Sequence, residues 1–159
     1  LLSFVSQLFD GVRETGGPNK GAFVERFQKA VDGKAQGEPW CAAFVQYCLA
    51  VVDGFNRNEH GASAKHLLPV TEATQPLWNT SPLKCRTDIP EPGAVIVWRK
   101  TSSTGHCGIV VKVEGENVVT IEGNTGSGDQ REGDGVCIKR RPKGTIPGMT
   151  LLGYLKPWG

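Results

Sequence analysis

The chain has 159 residues, of which 38% are hydrophobic and 21% charged, with a formal net charge of +2; this length suits one domain around one core, with no metal or disulfide staple required. So mild a charge does not supply the concentrated basic patch that nucleic-acid binding calls for. The longest apolar runs, near residues 42–45 and 95–98, fall far short of the roughly 20 residues that span a bilayer, so no membrane-spanning helix is expected.

Leu1, Val5, Leu8, Phe9 and Val12 recur at helical spacing and stop at Gly16-Gly17-Pro18, which predicts a first helix. Phe23, Phe27, Ala30 and Val31 predict a second, ending near Gly33. A third is expected to begin at Pro39, a residue suited to the first helical turn, and to carry Cys41, Phe44, Val45, Cys48 and Val52 down one face as far as Asp53-Gly54. Residues 61–80 hold weaker helical segments with Trp78 as an anchor.

Past the Pro-rich stretch 82–92 the composition turns to β-branched residues, predicting strands at 94–98, 108–113, 117–121, 136–140 and 151–155. Glu114-Gly115-Glu116 is the right length to close a hairpin between the second and third of these. Helices first and strands afterwards indicate an α+β domain covering 1–159, with a sheet or half-barrel of about five to six antiparallel strands. The Gly-rich segment 123–135 carries no phosphate-binding motif, and Asp129 and Asp134 are too sparse for a calcium loop. No cofactor or metal site is expected.

The five cysteines form no metal-ligand spacing, and their odd number leaves at least one thiol outside any set of intramolecular bridges. Cys41 is the candidate for that thiol. It falls in the first turn of the third predicted helix, where free backbone N–H groups and the helix dipole favour an anion and lower a thiol pKa. The same N–H groups suit an oxyanion. The competing reading, a small core residue on an amphipathic helix, is kept for Cys48.

A nucleophilic cysteine needs a base, and the chain offers His60, His66 and His106. His106, after Ser103-Thr104-Gly105 at the entrance to a strand, is preferred; the other two fall in polar helical or loop sequence. The base needs an acceptor to fix its tautomer. In Ile121-Glu122-Gly123-Asn124 both Glu122 and Asn124 have the parity to face His106. Either could be the third member.

The blocks Pro39-Trp40-Cys41-Ala42-Ala43-Phe44-Val45, Pro90-Glu91-Pro92-Gly93-Ala94-Val95, Gly105-His106-Cys107-Gly108-Ile109-Val110 and Glu122-Gly123-Asn124-Thr125 resemble, in order and spacing, the CHAP family of cysteine, histidine-dependent amidohydrolases/peptidases, within the papain-like, NlpC-type superfamily. The resemblance runs from about residue 14 to 158. It implies a papain-like fold and cleavage of peptidoglycan, as an N-acetylmuramoyl-L-alanine amidase or a peptide endopeptidase. By position it implies Cys41 as nucleophile, His106 as general base, Glu122 as orienting group and Asn124 as a supporting polar residue. The chain departs from the family pattern at Ala94, where Asp is usual, and at Cys107, where an aliphatic is usual. Strand alternation turns Cys107 away from His106, and it is read as core.

Gln36 is a candidate second oxyanion donor. Trp40, Trp98, Glu14 and Asn19 are candidate walls of the substrate cleft, with core packing the competing reading for both tryptophans. A cysteine acyltransferase of the same fold and an inactive wall-binding module are the alternatives, the second opposed by the intact Cys, His and Glu set. The expected partner is peptidoglycan, with an immunity or inhibitor protein left open and a monomer expected. The chain begins at Leu1 rather than Met, so localisation is read from function: secreted, periplasmic or at the cell wall, including delivery by a phage or a secretion system.

Overall fold

The structure is a computed structural model that describes residues 9–60, 68, 71, 73–125 and 133–157. Among the described residues the elements run α1 (Ala22–Asp32), α2 (Cys41–His60), α3 (Thr74–Thr80), a 3-10 turn (Leu83–Cys85), β1 (Arg86–Thr87), β2 (Val95–Arg99), β3 (Gly105–Glu114), β4 (Asn117–Thr125), β5 (Gly135–Pro142) and β6 (Thr150–Leu155). The α+β order read from the sequence is the order found.

The strands form one six-stranded sheet in the order β1-β6-β2-β3-β4-β5, with every neighbour antiparallel. Its central strand β2 reads Val-Ile-Val-Trp with all four residues buried, as a strand covered on both faces requires. Val95 and Val97 point to the helices, joining Ile109, Ile121 and the α2 residues Phe44, Val45 and Cys48 in the main core. Ile96 and Trp98 point the other way, into a second cluster with Val110, Val118 and Tyr154. The two clusters sandwich the sheet.

The α2 helix is apolar all round at its start, because Trp40, Ala42, Ala43, Phe44 and Val45 are each fully buried. Phe27 of α1 packs edge-on to Phe44 at 5.1 Å and stacks near Trp40 at 5.7 Å, fixing α1 across α2. Gly123 in β4 comes close against α2: a Cβ there would stand 2.6 Å from Phe44 Cβ. Only glycine lets the strand come that near.

Three expectations need correction. Pro39 precedes α2, whose first residue is Cys41, and the helix runs past Asp53-Gly54 to His60. The first predicted helix lies mostly at residues 1–8, outside the described set. Phe9 is helical, but the chain then leaves helix: Gly11 N–H donates to Val136 O at 3.0 Å, Val136 N–H to Val12 O at 2.8 Å, and Arg13 bridges Gly135. Open edge groups of β5 outbid the local helical pattern there. Of the segment 61–80 only its end, α3, is described as an element. The hairpin is as expected, a turn at Gly115-Glu116 between Glu114 and Asn117.

Candidate active site

Cys41 opens α2 with Trp40 as its cap; Phe44 N–H donates to Trp40 O at 2.9 Å. The Cys41 N–H therefore lies among the helix donors with no intrahelical acceptor, at the positive end of the dipole. The residue is 6% exposed.

Three groups converge on its sulfur. Thr74 Oγ1, from the first residue of α3, lies 3.3 Å away and is 3.8 Å from Cys107 Sγ. The Cys107 thiol and the His106 imidazole act on Cys41 as well, both favouring its thiolate. The Cys107 thiol is the largest influence on the Cys41 pKa and lowers it; burial opposes this, but His106 and Thr74 add to the lowering, and the thiol ends well below its ordinary value. Cys107 moves well above its ordinary value, through its bond to Cys41 and then burial. Of the two sulfurs, Cys41 carries the charge, because it has the helix terminus and the imidazole beside it.

Cys107 is buried in the helix-side core, as alternation predicts. Its neighbour His106 lies parallel to Trp98 of the opposite cluster, with ring centroids 5.9 Å apart at 17°.

His106 Nε2 bonds Glu122 Oε1 at 2.7 Å, which leaves Nδ1 for Cys41. Burial (the residue is 4% exposed) disfavours the imidazolium, but the influence of Cys41, the bond to Glu122 and their negative charges outweigh it and raise the pKa to about 9. Glu122 is wholly buried. Burial pushes its pKa up; the bonds and charges of His106 and Arg141 prevail and hold it at about 2. The shifts favour a thiolate at Cys41, an imidazolium at His106 and a carboxylate at Glu122.

The register explains how Glu122 gets there. Ile109 pairs with Ile121, so Glu122 lies across from Gly108 and diagonal to His106. A Cβ at Gly108 would stand 2.5 Å from Glu122 Cγ; the glycine clears the lane along which the carboxylate reaches the imidazole. Asn124, expected to share that face, instead has φ 53, at a register shift between Glu122 and Thr125. The bulge breaks the alternation on which its placement beside His106 relied.

The candidate cleft residues are mostly engaged inside the fold. Trp40 and Trp98 are fully buried, which leaves neither a face for a ligand; their core reading is the one the packing supports. Trp40 Nε1 donates to Glu14 Oε1 at 2.9 Å. Asn19 Nδ2 donates to Gly37 O at 3.1 Å, and Gln28 Nε2 donates to Asn19 O at 3.1 Å and Glu38 O at 2.8 Å. Glu14 and Asn19 thus brace the approach to Cys41. Gln36 is exposed, its backbone N–H held by Glu38 Oε2 at 2.8 Å.

Of the other cysteines, Cys48 is buried and its thiol is pushed far up by desolvation. All five cysteines are free. Ala94 is buried in the second cluster, a place where an Asp side chain would lose its water. His66 lies outside the described residues.

Sequence reasoning missed Thr74, the influence of Cys107 on the Cys41 thiol, and Arg141. Arg141 Nε and Nη2 grip Glu122 Oε2 and Oε1 at 3.0 and 2.7 Å. The predicted strand stopped at residue 140, and the signal available was a basic residue at a parity that could face a buried Glu122.

A helix-borne thiol at its N-terminus, packed on an antiparallel sheet that presents a His–carboxylate pair, defines the papain-like class of α+β fold. The CHAP domain family matches residues 33–124, more than half the chain, and the chain belongs to that family. CHAP domains are amidase or peptidase hydrolases that act on cell-wall peptidoglycan. The match spans Cys41, His106 and Glu122. No curated protein matches the chain in sequence.

Proposed function

We propose that this protein, as a single catalytic domain over residues 1–159, hydrolyses an amide bond of peptidoglycan through a thioester on Cys41. The observation that carries the reading is the His106–Glu122 pair, bonded through Nε2 at 2.7 Å, which leaves Nδ1 for the Cys41 thiol whose pKa His106 helps to lower. The Cys41 thiolate attacks the amide carbon, forming C–S while the carbonyl π pair moves to oxygen. The oxyanion lies against the Cys41 N–H, with Gln36 the candidate second donor. Collapse breaks C–N as His106 gives its Nδ1 proton to the leaving amine; His106 then takes a proton from water, which attacks the thioester, and the acid leaves as the thiolate returns.

The test is digestion of purified sacculi by the native protein and by Cys41→Ala, with mass spectrometry of what is released. A freed lactyl carboxyl and a new Ala amine identify an N-acetylmuramoyl-L-alanine amidase; a cut within the stem or cross-bridge identifies an endopeptidase. Full activity in Cys41→Ala sinks the mechanism. Such a substrate places the enzyme at the cell wall.

A further inference from the structure

Glu122 does not hold His106 unaided. Its two oxygens take four hydrogen bonds: Oε1 from His106 Nε2 at 2.7 Å and Arg141 Nη2 at 2.7 Å, Oε2 from Arg141 Nε at 3.0 Å and the Thr120 hydroxyl. A carboxylate so filled cannot rotate about its last bond without breaking at least two of them. The Arg141 guanidinium also lies over the Trp98 ring, 5.3 Å from its centroid, and the imidazole lies parallel to that same ring on β2 at 5.9 Å. One side chain on β5, paired in register with Val118, therefore touches both groups that fix the imidazole: its acceptor and its stacking partner. Arg141 also lies beyond the residues matched to the family.

We propose that Arg141 is a positioning residue of the catalytic line, clamping the Glu122 carboxylate and the Trp98 ring so that His106 keeps Nδ1 aimed at Cys41. The proposal rests on Cys41 and His106 being the reacting pair. A planar, two-pronged donor is what the geometry uses; a lysine keeps the charge but offers one point. The charged and titratable groups around Glu122 are His106 of β3 and Arg141 of β5 in contact, Cys137 at its own register partner on β5, Lys139 at the register partner of Thr120, and the thiols of Cys41 on α2 and Cys107 on β3 beyond the imidazole. β2 contributes the uncharged Trp98. Loss of the guanidinium removes the nearest fixed positive charge, so Glu122 takes up a proton at higher pH and the imidazolium loses its partner there.

The experiment compares the full chain with Arg141→Gln and Arg141→Lys. The first readout is the pH dependence of Cys41 alkylation by iodoacetamide, followed on the Cys41 peptide by mass spectrometry; it requires no peptidoglycan. The second is kcat and KM on soluble peptidoglycan fragments, with thermal melting alongside. In Arg141→Gln the acid limb of alkylation moves up by about one pH unit or more, and kcat falls about tenfold or more with KM within about twofold. Arg141→Lys restores the acid limb but not kcat. An Arg141→Gln that melts too low to assay leaves the decision to Arg141→Lys, whose full kcat would overturn the clamp. An alkylation profile of Arg141→Gln superposable on the native one also overturns it, as does a rate loss that only follows melting. Native protein that leaves the fragments uncut refutes the hydrolase reading, while the alkylation profiles still decide the role of Arg141.

Discussion

Gly108 is the residue over which Glu122 reaches His106. A methyl group placed on it would stand 2.5 Å from Glu122 Cγ and 3.0 Å from Ile121 O. The small residue after His106 and Cys107 is thus part of the site by its absence of a side chain.

Gly108→Ala is expected to displace the Glu122 carboxylate. Overpacking of this kind costs about 1–3 kcal/mol, which thermal or urea unfolding would register. Turnover of sacculi falls further than stability does, because His106 loses its acceptor. A variant with native turnover would mean that Glu122 is not required where it stands.

Cys107 is expected to tune Cys41 rather than to react. Its thiol is the largest influence lowering the Cys41 pKa, so Cys107→Ala removes a donor from the thiolate and moves the onset of Cys41 alkylation to higher pH; Cys107→Ser, which keeps an O–H donor, moves it less. Titration of the native protein with iodoacetamide near pH 7 modifies Cys41 first, since Cys107 is held well above its ordinary value.

The pH profile follows from the two partners. His106 is raised to about 9, so the imidazolium that protonates the leaving amine persists up to that pH, and kcat/KM falls as pH rises through it. The same shift stabilises the fold fully below the ordinary histidine value of about 6.5, and that contribution disappears through pH 9. Glu122, depressed to about 2, stabilises the fold above the ordinary carboxyl value of about 4.3 and ceases to do so as pH falls through 2. Urea unfolding across pH 2 to 10 checks both signs.

Gln28 is buried, and its amide donates to the carbonyls of Asn19 and Glu38. Gln28→Ala leaves both carbonyls without that donor and opens a cavity, with an expected loss of about 2 kcal/mol or more. Chemical denaturation measures it; a change under about 0.5 kcal/mol would mean that the brace before Cys41 holds by other contacts.

The sequence by itself determined the helix-then-strand order, the placing of Cys41 at a helix start and of His106 at a strand entrance, and the facing parity of Glu122. These are local properties: periodicity, a proline and glycine stop, an alternation of two. Where a local rule was interrupted, parity ceased to be a guide: Asn124 has a left-handed φ at a register shift, and at residues 9–12 edge pairing with β5 replaced helix.

Only the tertiary structure decided which groups share the sulfur and the carboxylate. Thr74 and Cys107 meet Cys41 because α3 and β3 are brought to the N-terminus of α2, and Arg141 meets Glu122 because β5 pairs with β4 in one register among several that the intervening residues allow. Trp98 went to the buried face of the sheet away from α2, the core role that its sequence favoured over a cleft wall. Registers and packing of distant segments depend on the burial of whole faces at once, a sum over the fold that no single stretch of sequence contains.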